Sequence, residues 1–265
     1  MNDLFIQQIR LKPDVTVGDR LQNLFPLELR NSITVFIGEN GAGKSTLLEA
    51  IAIKAGCNPE GGGKNFNFST ENTHSKLYES LTLSKGYRRE KDVFFYRAET
   101  FYNLNTAIRK LDAEASFDPE IKTYYGGVDM HCLSHGEAME ALFQHRFKAQ
   151  GLYVLDEPEA SLSPLRQLVF INRIMELSRG GAQFIIATHS PLIMSIPGCD
   201  LRQISGGRCE QIAPEDTDAY AVYKAVLNSA GAYITKKHAV RLQAQKNRPK
   251  TVFSKPALIT DRTSL

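Results

Sequence analysis

Short, uniformly apolar runs alternate along the chain with longer stretches in which apolar residues recur every three or four positions. Residues 4–11 (LFIQQIRL) alternate apolar with polar and predict an exposed or edge strand. From Leu27 to Ile37 (LELRNSITVFI) the run becomes uniformly apolar towards its end, as in a strand covered on both faces. It runs through GENGAGKST into a helical pattern, LLEAIAIKAG, closed by Gly56. Residues 57–91 change character, with GGG at 61–63, many Asn, Ser and Thr, and short alternating runs (FNFST, KLYESLTL); they predict an inserted antiparallel hairpin region. DVFFYRAE (92–99) reads as a strand, followed by a helix from about Asn103 to Ala115, and a break and second helix lie between Leu133 and Lys148. GLYVLDEP (151–158) and AQFIIATHSP (182–191) are two further buried strands. Between them, residues 163–181 form a helical pattern with apolar residues at 165, 168, 169, 171, 174, 175 and 177 and Gly180 as its stop.

Buried strands alternating with helices predict an α/β fold. Its sheet is mainly parallel and flanked by helices, with an antiparallel β region and a helical region over 100–150. One domain covers 1–245. Residues 246–265 (KNRPKTVFSKPALITDRTSL) have no period and two prolines, and read as a flexible tail.

Composition narrows the picture without naming a partner. The 265 residues are 42% hydrophobic and 23% charged, with 19 Gly and 11 Pro, which excludes a disordered, collagen-like or coiled-coil chain. A chain this long buries a core without disulfides. The net charge is +3, but from Lys236 to Leu265 eight Lys and Arg face one acid, a local +7 that leaves residues 1–235 at −4. Clustered cations of this kind suit a nucleic-acid backbone, and equally they suit simple solvation. Cys57, Cys132, Cys199 and Cys209 share no CxxC spacing and read as buried or unreactive thiols of a reducing compartment. No run approaches 18 apolar residues, and MNDLFIQQIRLKPD lacks the pattern of a signal peptide, so a soluble protein of the cytoplasm is expected, with no membrane insertion.

The chemistry concentrates at the ends of the buried strands. Gly38-Glu39-Asn40-Gly41-Ala42-Gly43-Lys44-Ser45, followed by Thr46, fits G-x-x-x-x-G-K-[ST] in full, a match whose chance occurrence in such a chain is on the order of 1%. Glycines there let backbone N–H groups curl around phosphate oxygens, and the next helix aims its positive end at the same anion. Lys44 is placed to reach the β- and γ-phosphates and the Ser45 hydroxyl to ligate Mg²⁺. Asp156, at the end of the YVLDE strand, suits the metal through a coordinated water; Glu157, next in sequence, suits polarisation of an attacking water. His189, at the tip of FIIATH, is placed for a hydrogen bond to the γ-phosphate.

Leu133-Ser134-His135-Gly136-Glu137, about twenty residues before the DE strand, resembles the ABC-type signature usually written LSGGQ. With GENGAGKST, YVLDEP and ATHSP in that order over roughly 27–205, the chain resembles an ABC-class ATPase of the P-loop NTPases. The resemblance implies ATP and Mg²⁺ as cofactors. It also implies a nucleotide-sandwich dimer in which Ser134 and the Gly136 backbone of one copy touch the γ-phosphate held by Lys44 of the other. The departures are informative: His135 and Glu137 replace a glycine and a glutamine, and no Gln occurs between Ser45 and Leu133, where that family carries its Q-loop glutamine. Arg97-Ala98-Glu99 stands in that place and offers Glu99 as a metal ligand. The DEPE-x-x-L-x-P form resembles the predicted ATPases of the SMC/RecF/OLD-like branch, here a stand-alone member too short for a coiled coil.

Three functions compete. The first is an ATPase that dimerises around ATP, as a homodimer or within a heteromeric complex, and drives a separate effector in DNA-related or phage-defence processes. The second is the ATP-binding subunit of a membrane transporter, against which stand the missing Gln and the absence of an Asp after Leu162. The third is a nucleotide sensor that dimerises without hydrolysis.

Overall fold

The computed structural model describes residues 3–64, 75–113 and 119–229. In chain order the strands are β1 (Ile6–Leu11), β2 (Leu27–Glu28), β3 (Ile33–Ile37), β4 (Gly62–Gly63), β5 (Leu81–Lys85), β6 (Asp92–Arg97), β7 (Gly151–Asp156), β8 (Gln183–Ala187), β9 (Asp200–Ser205) and β10 (Arg208–Gln211). The helices are α1 (Asp19–Gln22), α2 (Lys44–Ala55), α3 (Leu77–Ser80), α4 (Phe101–Ala113), α5 (His135–Ala141), α6 (Pro164–Arg179), α7 (Pro191–Met194) and α8 (Asp218–Asn228).

The uniformly apolar runs ITVFI and QFIIA are buried at every residue, and so is GLYVLD. Residues without a polar side have nowhere to go but the middle of a sheet covered on both faces. They form the centre of a seven-stranded sheet of order β10-β9-β3-β8-β7-β6-β4. The five strands β9, β3, β8, β7 and β6 run parallel, and β10 and β4 close the two edges antiparallel. All the parallel strands therefore present their C-terminal ends on one side, where the motif residues lie.

A second sheet, β2-β1-β5, is antiparallel throughout. Helix α2 packs against β5 of this sheet and against β6, β7 and β8 of the other. Being covered on so many sides, α2 is apolar nearly all round, and Leu47, Leu48 and Ile51 are fully buried in one core with Ile6, Ile9, Leu81, Val154 and Ile185. Each such side chain stabilises the fold by about 1.5–3 kcal/mol. Gly56 ends α2 in the left-handed conformation expected of a helix stop.

Several expectations are corrected. The 4–11 strand is neither exposed nor an edge: β1 is the middle strand of its sheet, with Ile6 and Ile9 buried. The 27–37 run is two strands in two different sheets, split by the polar segment Arg30-Asn31-Ser32. Among the described residues of 57–91, β4 and β5 do not pair with each other. β5 pairs with β1, β4 pairs with β6, and the first half of KLYESLTL is helix α3; FNFST lies outside the described residues. Helix α6 faces the core with Phe170, Ile171, Ile174 and Leu177, whereas Leu165 is 73% exposed and Leu168 and Val169 also face outward. Strands β9 and β10 had no counterpart in the sequence reading.

The chain divides into two compact units, Met1–Thr217 and Asp218–Leu265. Of the second, helix α8 and Ser229 are described; the expected boundary at 245 and the basic segment lie outside the described residues. Among the described residues no helix is long and apolar enough to cross a membrane.

Candidate functional site

Residues 38–43 leave the C-terminal end of β3 and turn sharply into α2. Gly41 (φ 78°) and Gly43 (φ 96°) hold left-handed conformations that a side chain would oppose. Lys44 opens α2 and bends back over the loop, donating from Nζ to the carbonyl oxygens of Gly38 (2.8 Å) and Glu39 (3.1 Å). The Ala42 N–H donates to the Glu39 carbonyl at 3.2 Å, and Asn40 and Thr46 complete the loop and first turn. Burial lowers the pKa of Lys44 from its ordinary value, opposed by the nearby carboxylates of Glu157, Asp156 and Glu159. A cradle lined by free glycine backbone, with an ammonium held across it by carbonyls alone, fits a polyphosphate.

Asp156 ends β7 between β8 and β6 and is only 4% exposed. Its Oδ1 accepts the Ser45 hydroxyl at 3.2 Å. Burial pushes its pKa up to about 6, against the opposing pull of the Ser45 hydrogen bond and of Arg97. A carboxylate short of solvent and joined to a serine hydroxyl at the phosphate cradle fits Mg²⁺ when phosphate oxygens supply the other ligands. Among the described residues no three His, Cys, Asp or Glu converge into a metal cage of their own.

Glu157 follows in a left-handed conformation (φ 51°), unusual for a residue with a side chain, and its N–H donates to the Ala187 carbonyl at 2.9 Å. The turn lifts its carboxylate out of the sheet, where Oε1 lies 3.8 Å from His189 Nε2; both side chains are 42% exposed. The His189 N–H in turn donates to Glu159 Oε1 at 2.7 Å. Glu159 was not among the residues named from sequence, although the DEPE string places it two residues beyond Glu157.

Glu99 is 78% exposed, and its carboxylate lies 3.5 Å from Arg97 Nε. Arg97 also donates from Nη1 to Glu49 Oε2 and lies 3.8 Å from Asp156 Oδ2. Sequence named Arg97 only as part of the Arg97-Ala98-Glu99 segment and did not mark Glu49. The trace of Glu49 is its helical spacing from Ser45, which puts both on one face of α2.

Ser134 caps α5, accepting from the Glu137 N–H at 3.3 Å while Glu137 Oε2 accepts from the Ser134 N–H (2.9 Å) and hydroxyl (2.7 Å). This reciprocal cap explains the Glu where the signature usually has Gln. Gly136 is buried: a Cβ there would stand 2.9 Å from the Ser161 carbonyl and from Arg166 Nη1. Arg166 also lies 3.6 Å from Glu140. Gly136 is thus seated on the segment after Glu157.

Cys57 is buried and Cys199 and Cys209 half-buried, but Cys132 is exposed, against expectation. The Lys236–Leu265 segment lies outside the described residues.

Two family models match the chain: one described as "AAA domain" over residues 21–121, and one described as "AAA domain, putative AbiEii toxin, Type IV TA system" over residues 141–195. Among curated proteins, the chain is 31% identical over 158 residues to "Probable branched-chain amino acid transport ATP-binding protein LivF" of Archaeoglobus fulgidus, a match covering 56% of this chain and 65% of that one. It is 29% identical over 174 residues to "ABC-type transporter ATP-binding protein EcsA" of Bacillus subtilis, covering 60% and 66%. The chain thus spans just under two thirds of the length of these relatives. Among solved structures, an ATP-binding cassette of an ABC transporter aligns with TM-score 0.49 at 17% identity, over 83% of this chain and 99% of that one.

Proposed function

We propose that the chain is a P-loop domain of the ABC class, an ATPase that dimerises around Mg-ATP and drives a separate effector. The observation that carries this reading is the division of the site. Lys44, Ser45, Asp156, Glu157 and His189 gather at the strand ends, while Ser134 bonds to Glu137 and Gly136 sits against Ser161 and Arg166. A second copy supplying its own Ser134 and Gly136 completes the constellation.

Lys44 exchanges its two loop carbonyls for phosphate oxygens, which it neutralises far better. Ser45 and Asp156 would hold Mg²⁺, which when bound would supply charge neutralisation for phosphoryl transfer. Glu157 would orient the attacking water and accept its proton, and His189, 3.8 Å from that carboxylate, would contact the γ-phosphate. Glu159, through the His189 N–H, fixes the loop that carries the imidazole.

The test is the mass in solution of Glu157→Gln with and without Mg-ATP. A shift from monomer to dimer only with ATP supports the sandwich; a mass indifferent to ATP overturns it.

The "Type IV TA system" wording of one family model, together with the DEPE form, supports a stand-alone ATPase of the SMC/RecF/OLD-like branch acting in DNA-related or phage-defence processes. Salt-dependent DNA or RNA binding that vanishes on deletion of 236–265 tests the nucleic-acid version. The names of the two curated relatives favour a transporter subunit instead, and co-purification with a polytopic membrane protein decides for it. A third outcome, Glu157→Gln leaving downstream function intact, identifies a non-hydrolytic sensor.

A further inference from the structure

Arg97 ends β6 directly beside Asp156 at the end of β7. Three carboxylates surround its guanidinium. Nη1 donates to Glu49 Oε2, and Nε faces Glu99 Oε2 at 3.5 Å and Asp156 Oδ2 at 3.8 Å. Glu49 stands one turn beyond Ser45 on α2, and Ser45 donates to Asp156. Ser45, Asp156, Arg97 and Glu49 therefore form a ring that closes through a single helical turn. Glu49 is itself held, its Oε1 accepting the Ser75 N–H at 2.9 Å.

Two observations separate Arg97 from an ordinary structural ion pair. Its Nε is buried yet makes no hydrogen bond, so a donor is spent on charge proximity alone beside the metal-side carboxylate. In addition, Arg97 opens the Arg97-Ala98-Glu99 segment that stands in place of a neutral glutamine, and no Gln occurs between Ser45 and Leu133. A guanidinium cannot shed its proton, so a permanent positive charge lies against the residue that faces the metal.

We propose that Arg97 is a positioning residue that serves as a built-in counter-ion on Asp156, keeping free divalent metal weakly bound until nucleotide phosphates bring it in. The proposal rests on the Mg-nucleotide reading of this site. Without metal, Arg97 compensates Asp156 and Glu49 and keeps Asp156 aligned on Ser45. Towards a divalent cation it is repulsive: even at the dielectric constant of water, charges of +1 and +2 about 6 Å apart repel enough to cost about tenfold in affinity. Towards nucleotide phosphates the same charge is attractive. Removing it must therefore move the two affinities in opposite directions, which a loss of scaffolding cannot do.

The experiment titrates wild type, Arg97→Gln and Arg97→Lys with Mn²⁺ alone, followed by electron paramagnetic resonance, and with a fluorescent ATP analogue in EDTA, followed by fluorescence. Arg97→Gln is expected to bind Mn²⁺ about tenfold more tightly and the metal-free nucleotide several-fold more weakly, with Arg97→Lys close to wild type in both. Arg97→Met, of similar volume, replaces the Gln variant if melting shows that variant unfolded. Weaker binding of both ligands, or unchanged Mn²⁺ affinity, overturns the proposal. Failure of the underlying site reading looks different: wild type then binds no nucleotide even with Mg²⁺.

Discussion

Gln183 joins the two sheets through a single side chain. Its Oε1 accepts the Ile6 N–H at 2.9 Å and its Nε2 donates to the Ile6 carbonyl at 2.8 Å, so one amide satisfies both backbone groups of a residue in the other sheet. Gln183 is 1% exposed and Ile6 fully buried, which leaves no water to take over. Replacing Gln183 by Leu keeps the volume and strands both groups. At about 1–3 kcal/mol for each buried group left unpaired, offset in part by the gain in apolar surface, the expected loss is about 2–4 kcal/mol. For a unit of this size that lowers the melting temperature by roughly 4–16 °C. Differential scanning calorimetry at several scan rates measures it, with Gln183→Glu, which keeps the acceptor for the Ile6 N–H, as the comparison. The reasoning also requires that the damage be confined to docking of the antiparallel sheet, so nucleotide affinity well below the melting point stays near wild type. A Gln183→Leu protein melting within about 1 °C of wild type would refute the claim that this amide holds the sheets together.

Other expectations concern the site itself. Gly136→Ala puts a methyl group 2.9 Å from the Ser161 carbonyl and should block ATP-dependent dimerisation in the Glu157→Gln background while each chain still binds nucleotide; light scattering beside a fluorescence titration separates the two. Glu159→Ala frees the His189 loop and is expected to cut ATP turnover at least tenfold with little change in KM, whereas Glu159→Gln retains the acceptor and most of the rate; full turnover in the Ala variant removes Glu159 from the mechanism. Burial raises the Cys57 thiol to about 12 and those of Cys199 and Cys209 to about 11, so at pH 8 almost none of the three is thiolate. Alkylation of the native protein at that pH, mapped by mass spectrometry, should therefore modify exposed Cys132 first, and equal labelling of all four would contradict the burial described.

Local pattern made much of the fold legible. An unbroken apolar run can only be a strand covered twice, and a G-x-x-x-x-G-K-S string between such a run and a helical period has one sensible geometry. Asp156, Glu157 and His189 lie at or just past strand ends, and Lys44 and Ser45 open the helix after one, so backbone direction alone brings these five together; Ser134 and Gly136, at α5, are not among them. What escaped was whatever depended on partners distant in sequence. β5 takes β1 as its neighbour across some seventy residues, so no local turn signalled the pairing. β9 (DLRQIS) carries only two strongly apolar residues and is a strand because β3 offers it a free edge. Nothing local marks Glu49 of α2, and only the fold brings Arg97 over to it. Leu165, Leu168 and Val169 misled in the opposite sense: apolar residues at helical spacing face outward here while Phe170 fills the core.

On the proposed dimer, the charges at the strand ends leave a single copy poised and incomplete. Nearly every ionised group there is answered by another protein group: Lys44 by two carbonyls, Asp156 by Ser45 and Arg97, Glu49 by Arg97 and Ser75. Such a network needs little rearrangement when phosphate and metal replace its internal partners, which is the condition for electrostatic stabilisation without a reorganisation cost. Glu157 and His189 are the exception, 42% exposed and 3.8 Å apart, too far for a direct hydrogen bond. A carboxylate that open to water polarises a nucleophile poorly, because solvent competes for its charge. Covering it by a second copy's signature surface would remove that water and strengthen each remaining interaction. On this argument hydrolysis is tied to closure by the exposure of one carboxylate, and turnover per chain should rise with protein concentration until dimerisation saturates. Turnover strictly proportional to chain concentration from the nanomolar range upward, with the protein monomeric throughout, would break that link.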